Sequence, residues 1–204
     1  MSETAERVRT RAKAVGVAIP AHIEGRLIAY FDLLTRWNAK INLTALTDTD
    51  AAIDRLLLEP VAAAATLPRY LDLIDLGSGG GSPAIPLALA LEARRLVMVE
   101  SRGRKAAFLS EATRSSGLNA IVANARFETI GAQGTYAGQM DAVSIRAVRP
   151  DLATLALAKA FLKPGGKIAL FSLKPASPAE LPEGLRVVSI APLLESSYLV
   201  LLGR

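Results

Sequence analysis

Apolar positions recur along this chain at two periods, and the change between them falls near residue 70. Before it the spacing is helical. Residues 3–16 read as one amphipathic helix. In a second, from about 20 to 38, Ile23, Leu27, Tyr30, Phe31 and Leu34 share one face. "WNAKINLT" then breaks the pattern with Asn38 and Asn42, both turn formers. A third helix is expected from about Asp48, a good N-cap, to about Thr66, with Pro60 inside it to kink or split it. From residue 71 the apolar runs become short. "LDLIDL", "LVMVE", "NAIVAN", "MDAVSIRAV" and "KIALFSL" read as buried strands, with helical stretches at about 83–92, 103–116 and 150–162 between them.

Strands alternating with helices predict an α/β fold: a mostly parallel open sheet with helices on both faces. The final stretch, "LRVVSIAPLLESSYLVLLGR", holds two strand-like runs joined by a polar link, which is an antiparallel hairpin. The "KPASPAELPEG" segment before it is a proline-rich loop. Residues 1–66 are expected to form a helical cap and 67–204 the sheet domain, packed as one compact unit.

Composition removes several chemistries. There is no cysteine, which excludes disulfides, thiolate metal sites and a cysteine nucleophile. His22 is the single histidine and reads as solvated near a helix start, so no His-based metal site or triad is expected. No apolar run reaches the roughly 18 residues of a membrane span, and "MSETAERVRT" has no apolar leader core, so a cytoplasmic location is expected. The net charge of +5 favours a polyanionic partner. Its basic residues gather at Arg7, Arg9, Arg11 and Lys13, and again at Arg94, Arg95, Arg102, Arg104 and Lys105.

The candidate chemistry lies in "LDLIDLGSGGGSPAIPLALA", residues 71–90. Gly77-Ser78-Gly79-Gly80-Gly81 follows a strand and precedes a helix. That is where open α/β sheets bind ligands, and glycine lets the backbone approach closely. Ser82 is the expected N-cap and Pro83 the first helical residue, although Pro86 argues for a later start. The dinucleotide fingerprint needs a third small residue where Ser82 stands. The pattern is instead Asp75-x-Gly77-x-Gly79-x-Gly81, which resembles the first motif of Rossmann-like S-adenosylmethionine-dependent methyltransferases. Glu100 ends the second strand, where a carboxylate can accept both ribose hydroxyls. The alternative is that both acids simply face solvent at strand ends.

Several segments together resemble one family, the bacterial small-subunit ribosomal RNA methyltransferase G, also called glucose-inhibited division protein B. They are Trp37, Asn38, Asn42, Leu43 and Thr44 in "WNAKINLT"; "DLGSGGGSPAIPL"; "VESRGRKAAFL" with Glu100, Arg104 and Lys105; Arg126-Phe127-Glu128; and Ile145-Arg146-Ala147. The chain departs from the family's H-x-x-D-S-L with Leu56, Glu59 and Pro60, and has Ser197 where an arginine is usual.

The resemblance implies methyl transfer from S-adenosylmethionine to guanine N7 of 16S ribosomal RNA, naked or in the 30S subunit, by a monomer. It places cofactor contacts at Asp75, Gly77, Ser78, Gly79, Gly81, Glu100, Arg126, Phe127, Glu128 and Arg146. It places RNA contacts at Trp37, Asn38, Asn42, Arg104 and Lys105, with Arg146 also at the reacting base. Arg7 and Arg11 form a weaker outer group. Trp37 reads as a core or domain-joining residue rather than a base-stacking platform, and Asn38 and Asn42 read equally as turn formers. Two other functions remain open: a methyltransferase with a small-molecule or protein substrate, and a non-catalytic binding protein that keeps the fold.

Overall fold

The computed structural model describes residues 2–46, 49–175, 180–194 and 197–203. Helix α1 (Glu3–Ala14) opens the cap, with the Ser2 hydroxyl accepting from the Ala5 N–H at 3.2 Å. It lies against α2 (Ala21–Asn38). The N-terminal basic cluster ties these pieces together. Arg11 donates to both oxygens of Asp54 at 3.1 and 2.6 Å, Arg7 reaches Asp50 at 3.4 Å, and Arg9 pairs with Glu24.

The third helix is split, as Pro60 requires. It runs as α3 (Asp50–Ile53), a π-helical turn (Asp54–Leu58), α4 (Glu59–Ala63) and a closing 3₁₀ turn. Its N-cap is Thr49, whose hydroxyl accepts from the Ala52 N–H at 3.2 Å; Asp48 lies outside the described residues. The split has a chemical consequence. The Glu59 N–H turns back to the Asp54 carbonyl, and Pro60 has no N–H at all. The carbonyls of Arg55 and Leu56 therefore lose their α-helical donors and stay open to side chains from elsewhere.

The sheet has seven strands: β1 (Asp72–Leu76), β2 (Arg95–Val99), β3 (Ala120–Ala123), β4 (Met140–Arg146), β5 (Leu162–Ser172), β6 (Arg186–Pro192) and β7 (Tyr198–Gly203). Their order is β3-β2-β1-β4-β5-β7-β6. The first five are parallel, while β7 runs antiparallel between β5 and β6. The C-terminal hairpin is therefore present, inserted with its second strand innermost. The chain reverses its direction of winding between β1 and β4, the switch point at which such sheets bind ligands.

Side chains alternate across each strand. Leu73 and Ala142 join the core shared with the cap helices, α5 (Ala84–Leu91) and α6 (Gly103–Ser115). Ile74, Leu76, Val143 and Ile145 join the opposite core with α8 (Leu152–Phe161) and Ile130. The same parity turns Asp75 of β1 and Ser144 and Arg146 of β4 toward the cap. Among the described residues no helix is long and apolar enough to cross a membrane.

Three local expectations change. Helix α7 (Phe127–Gln133) was not legible, because Ile130 is its single buried residue and gives no period. Pro164-Gly165-Gly166 lies within β5 beside a register shift, with Gly165 at φ +80°, although its residue types suit a turn. Arg94 and Arg95 point to the opposite end of the sheet from the glycine loop. There Arg94 grips both oxygens of Asp72 at 2.9 and 2.6 Å and holds that carboxyl down at about 2.

Candidate active site

The glycine loop is pinned from below: the N–H groups of Gly77 and Ser78 both donate to the Val99 carbonyl, at 2.9 and 3.0 Å. Gly77 has φ +75°, and a Cβ there would lie 2.6 Å from Val148 Cγ2. At Gly81, φ is +87° and a Cβ would lie 3.1 Å from the Tyr30 ring. These two glycines are demanded by packing. Gly79 also has a positive φ, +52°, but the nearest atom to its hypothetical Cβ is 3.7 Å away, an ordinary contact, so packing alone does not demand glycine there. Helix α5 begins at Ala84 with Pro83 as its cap residue, so Ser82 is not the N-cap. The Ser82 hydroxyl instead donates to the open Leu56 carbonyl at 2.8 Å.

Glu100 lies directly after β2 and is buried. One carboxylate oxygen accepts from the Gly79 N–H at 2.9 Å, the other from the Arg102 N–H at 2.8 Å. A carboxylate has about four acceptor positions, so each oxygen keeps one for a further donor. Two cavities meet at Gly77 and Glu100. The central one, about 580 Å³, lies under the cap and is bordered by Leu43–Leu46, Arg55, Arg102, Lys105 and Arg146. The smaller, about 220 Å³, has Arg126, Phe127, Glu128 and Val148 as its wall. The segment Arg126-Phe127-Glu128 thus comes to the same cleft as the glycine loop, held at the start of α7.

Arg146 is clamped. Its Nη1 donates to the open Arg55 carbonyl at 2.7 Å and to the Ser82 hydroxyl at 3.1 Å, and its Nη2 to Glu59 at 2.8 Å. Both side chains of the Arg146–Glu59 pair are buried, 8% and 4% exposed. The guanidinium lies 4.5 Å above the Phe171 ring, its register neighbour on β5. Burial lowers the Arg146 pKa to about 10, outweighing the pull of Glu59, so it stays cationic at neutral pH. Glu59 and Pro60 build this clamp: one supplies the carboxylate, the other helps to free the carbonyls.

Asp75 sits beneath the loop, 1% exposed, and accepts from the Ser144 hydroxyl at 2.5 Å. Burial pushes its carboxyl up to about 6, against the lowering effects of Ser144, Ser78 and Arg146. Tyr30, fully buried on α2, donates to the Gly80 carbonyl at 2.6 Å and so fastens the cap to the loop.

The remaining expected residues separate. The Asn38 side chain accepts from the N–H groups of Leu43 and Thr44 at 2.9 and 3.0 Å, folding the loop that roofs the central cavity. Trp37 is half-buried, edge-on to Phe108 at 5.8 Å. Asn42 is exposed. Lys105 borders the central cavity, its Nζ 3.5 Å from the Leu43 carbonyl, whereas Arg104 is exposed and does not border it. Sequence reasoning missed Arg55, read Ser82 only as a helix cap, and read Arg102 only as one member of a basic cluster. Ser197 is buried in the β6–β7 link, its hydroxyl without a partner among the described residues.

The strand order, the glycine loop at the switch point and the acid after β2 define a Rossmann-like methyltransferase fold. A crystal structure of a SAM-dependent methyltransferase from Aquifex aeolicus shares it, with a TM-score of 0.59 over 76% of this chain and 93% of that one, at 16% identity. The chain belongs to the GidB family, rRNA small subunit methyltransferase G, which it matches over residues 23–186. It is similar to the ribosomal RNA small subunit methyltransferase G of Myxococcus xanthus, 35% identical over 90% of this chain and 87% of the relative. The protein of the same name from Stenotrophomonas maltophilia strain K279a is 38% identical over 87% of this chain and 82% of its own length.

Proposed function

We propose that this protein, acting as a single chain, transfers the methyl group of S-adenosylmethionine to guanine N7 in the 16S RNA of the small ribosomal subunit. The observation that carries the reading is the pair of cavities joined at Gly77 and Glu100, with one free acceptor position on each Glu100 oxygen. Those acceptor positions fit the cofactor. Glu100 would take the two ribose hydroxyls, Phe127 and its neighbours the adenine side, and the open backbone at Gly79 the methionyl side. Asp75, below the loop, would supply negative charge toward the ammonium. When bound, the cofactor supplies an electrophilic methyl on a sulfonium.

The chain's own contribution is placement. Guanine N7 has an available lone pair and loses no proton on attack, so the cleft needs no general base, and orientation does the catalytic work. Arg146 is held by Glu59, Arg55 and Ser82, which makes it a fixed cationic wall rather than a mobile phosphate ligand. Arg102 and Lys105 border the same cavity and would be the cations that meet RNA phosphates. The test is methyl transfer to 30S subunits and to protein-free 16S RNA across a salt series, with the N7 position mapped. Transfer should fall with salt, and replacing Arg102 and Lys105 by Ala should make the log–log slope of RNA binding shallower by about 2. Transfer to neither substrate, by a protein that binds S-adenosylmethionine, would refute the assignment.

A further inference from the structure

Arg146 is held in the cleft by a turn of the cap, and that turn is itself held from outside the cleft. Arg11 of α1 donates from Nε to Asp54 Oδ1 at 3.1 Å and from Nη2 to Asp54 Oδ2 at 2.6 Å, a two-pronged ion pair. Asp54 is the first residue of the π-helical turn. We propose that Arg11 is a positioning residue for methyl transfer: through Asp54 it fixes the register of the π-helical turn, and through that turn it holds Arg146. The proposal rests on the methyl-transfer reading above and adds to it a residue outside the cleft.

The first link is the backbone. The Glu59 N–H donates to the Asp54 carbonyl. In an α-helix it would donate one residue later, to the Arg55 carbonyl. The π register thus decides one thing for the cleft: the Arg55 carbonyl is left open, and Arg146 Nη1 takes it at 2.7 Å. Pro60 does not make this choice, because the N–H it lacks would have served Leu56. The same turn ends at Glu59, whose carboxylate takes Arg146 Nη2 at 2.8 Å.

The second link is that this register needs holding. A π-helical turn is a rare form, seen mostly as a single turn inside α-helix, so it persists where contacts select it. Here α3 precedes it and α4 follows it. Leu56, Leu57 and Leu58 are buried and fix its inner face. Asp54, at its start, is half-buried and gripped by Arg11. A planar guanidinium bonded to both carboxylate oxygens sets the direction of the Asp54 side chain as well as balancing its charge.

The third link is that α1 is moored firmly enough to serve as a support. Ala5, Val8 and Ala12 bury its inner face, the last two in the same core as Leu56, Leu57 and Leu58. Thr4 donates to Asp32 at 2.8 Å and Arg9 pairs with Glu24, both on α2. Arg11 therefore reaches Asp54 from a helix fastened elsewhere. That helix precedes residues 23–186, the stretch that matches the family, so the support comes from outside the part of the chain that carries the cofactor motifs.

The test compares Arg11→Ala, Asp54→Ala and the double variant, each at a temperature where circular dichroism shows it folded; Asp54→Asn replaces Asp54→Ala if the latter does not fold. Isotope-edited NMR of the Arg146 side chain, without RNA, reads the clamp directly. Its Nε is buried and has no partner among the described residues, so its proton meets solvent only when the clamp opens. Exchange should quicken about tenfold or more in all the variants. Single-turnover methyl transfer at saturating S-adenosylmethionine and RNA should fall about tenfold, as a small misplacement of a site group does. RNA retention on filters should not change, and the double variant should be no slower than the slower single one. Arg9→Ala, which removes an ion pair of α1 away from the π-helical turn, should leave both readouts at the wild-type level. Unchanged Arg146 exchange in Arg11→Ala would overturn the proposal, as would faster exchange with transfer at the wild-type rate, or single losses that multiply in the double variant. Equal losses in Arg9→Ala would reduce Arg11 to general mooring of α1 and overturn it too. RNA retention lost in Arg11→Ala but kept in Asp54→Ala would assign Arg11 to RNA instead. Absence of transfer by the wild type would count against the methyl-transfer reading, while Arg146 exchange would still decide whether Arg11 holds the clamp.

Discussion

Asp75→Asn should stabilise the cofactor-free protein at neutral pH and at the same time weaken its hold on S-adenosylmethionine. The side chain is 1% exposed, and its pKa is raised from 3.8 to about 6, burial outweighing the hydrogen bonds from Ser144 and Ser78. The native state therefore holds a proton that the unfolded chain has already released between about pH 4 and pH 6. Across that window the native state binds more protons, so stability falls as pH rises and levels off above the native value. About two pKa units at 1.36 kcal/mol each makes the total about 3 kcal/mol. An amide does not ionise, so the decline vanishes in the variant. Near pH 4 the two proteins should differ only by the fit of the amide beside Ser144; above pH 6 the variant should be more stable by up to about 3 kcal/mol. Urea unfolding of both proteins from about pH 4 to 8 without cofactor measures this as the difference between the two curves. A difference that does not change with pH would show that Asp75 titrates like a solvated carboxyl and refute the reasoning. With cofactor the order reverses: an ammonium near Asp75 favours its ionised form, so wild-type affinity should drop below pH 6 and the variant should bind more weakly throughout.

Other outcomes follow from the same geometry. Glu100→Ala should lose about 1.5–3 kcal/mol of cofactor binding, read by calorimetry, because both ribose acceptors go together; unchanged affinity would remove the ribose assignment. Gly77→Ala places a Cβ 2.6 Å from Val148 Cγ2 at φ +75°. Left-handed strain of about 1 kcal/mol and overpacking of about 1–3 should lower the urea midpoint and cofactor affinity together. Glu59→Gln leaves the buried Arg146 cation facing a neutral amide, and should cost about 3 kcal/mol of stability by thermal or urea unfolding. An unaltered midpoint would mean that the clamp contributes nothing.

Much of this architecture was legible in the sequence because burial is written locally. The short apolar runs "LDLIDL" and "MDAVSIRAV" marked β1 and β4 as buried strands, while the two cores of the fold show which of their alternating side chains face the cap. Pro60 announced a break, because it brings no N–H to a helix. The glycine run and Glu100 announced a ligand at strand ends. Helix α7 escaped because one buried residue, Ile130, carries no period. The rest depends on which elements meet. The basic stretch 94–105 reads as one patch, yet the strand between its halves carries Arg94 to Asp72 and Arg102 to the cleft at opposite ends of the sheet. Asn38 reads as a turn former, and only the fold shows that the turn it makes roofs the cavity. Arg146 reads as a cation at a strand end. That it is held by Glu59, by the Arg55 carbonyl and by Ser82 was decided by the docking of the cap on the sheet, because those partners lie 64 to 91 residues away and no local period relates them.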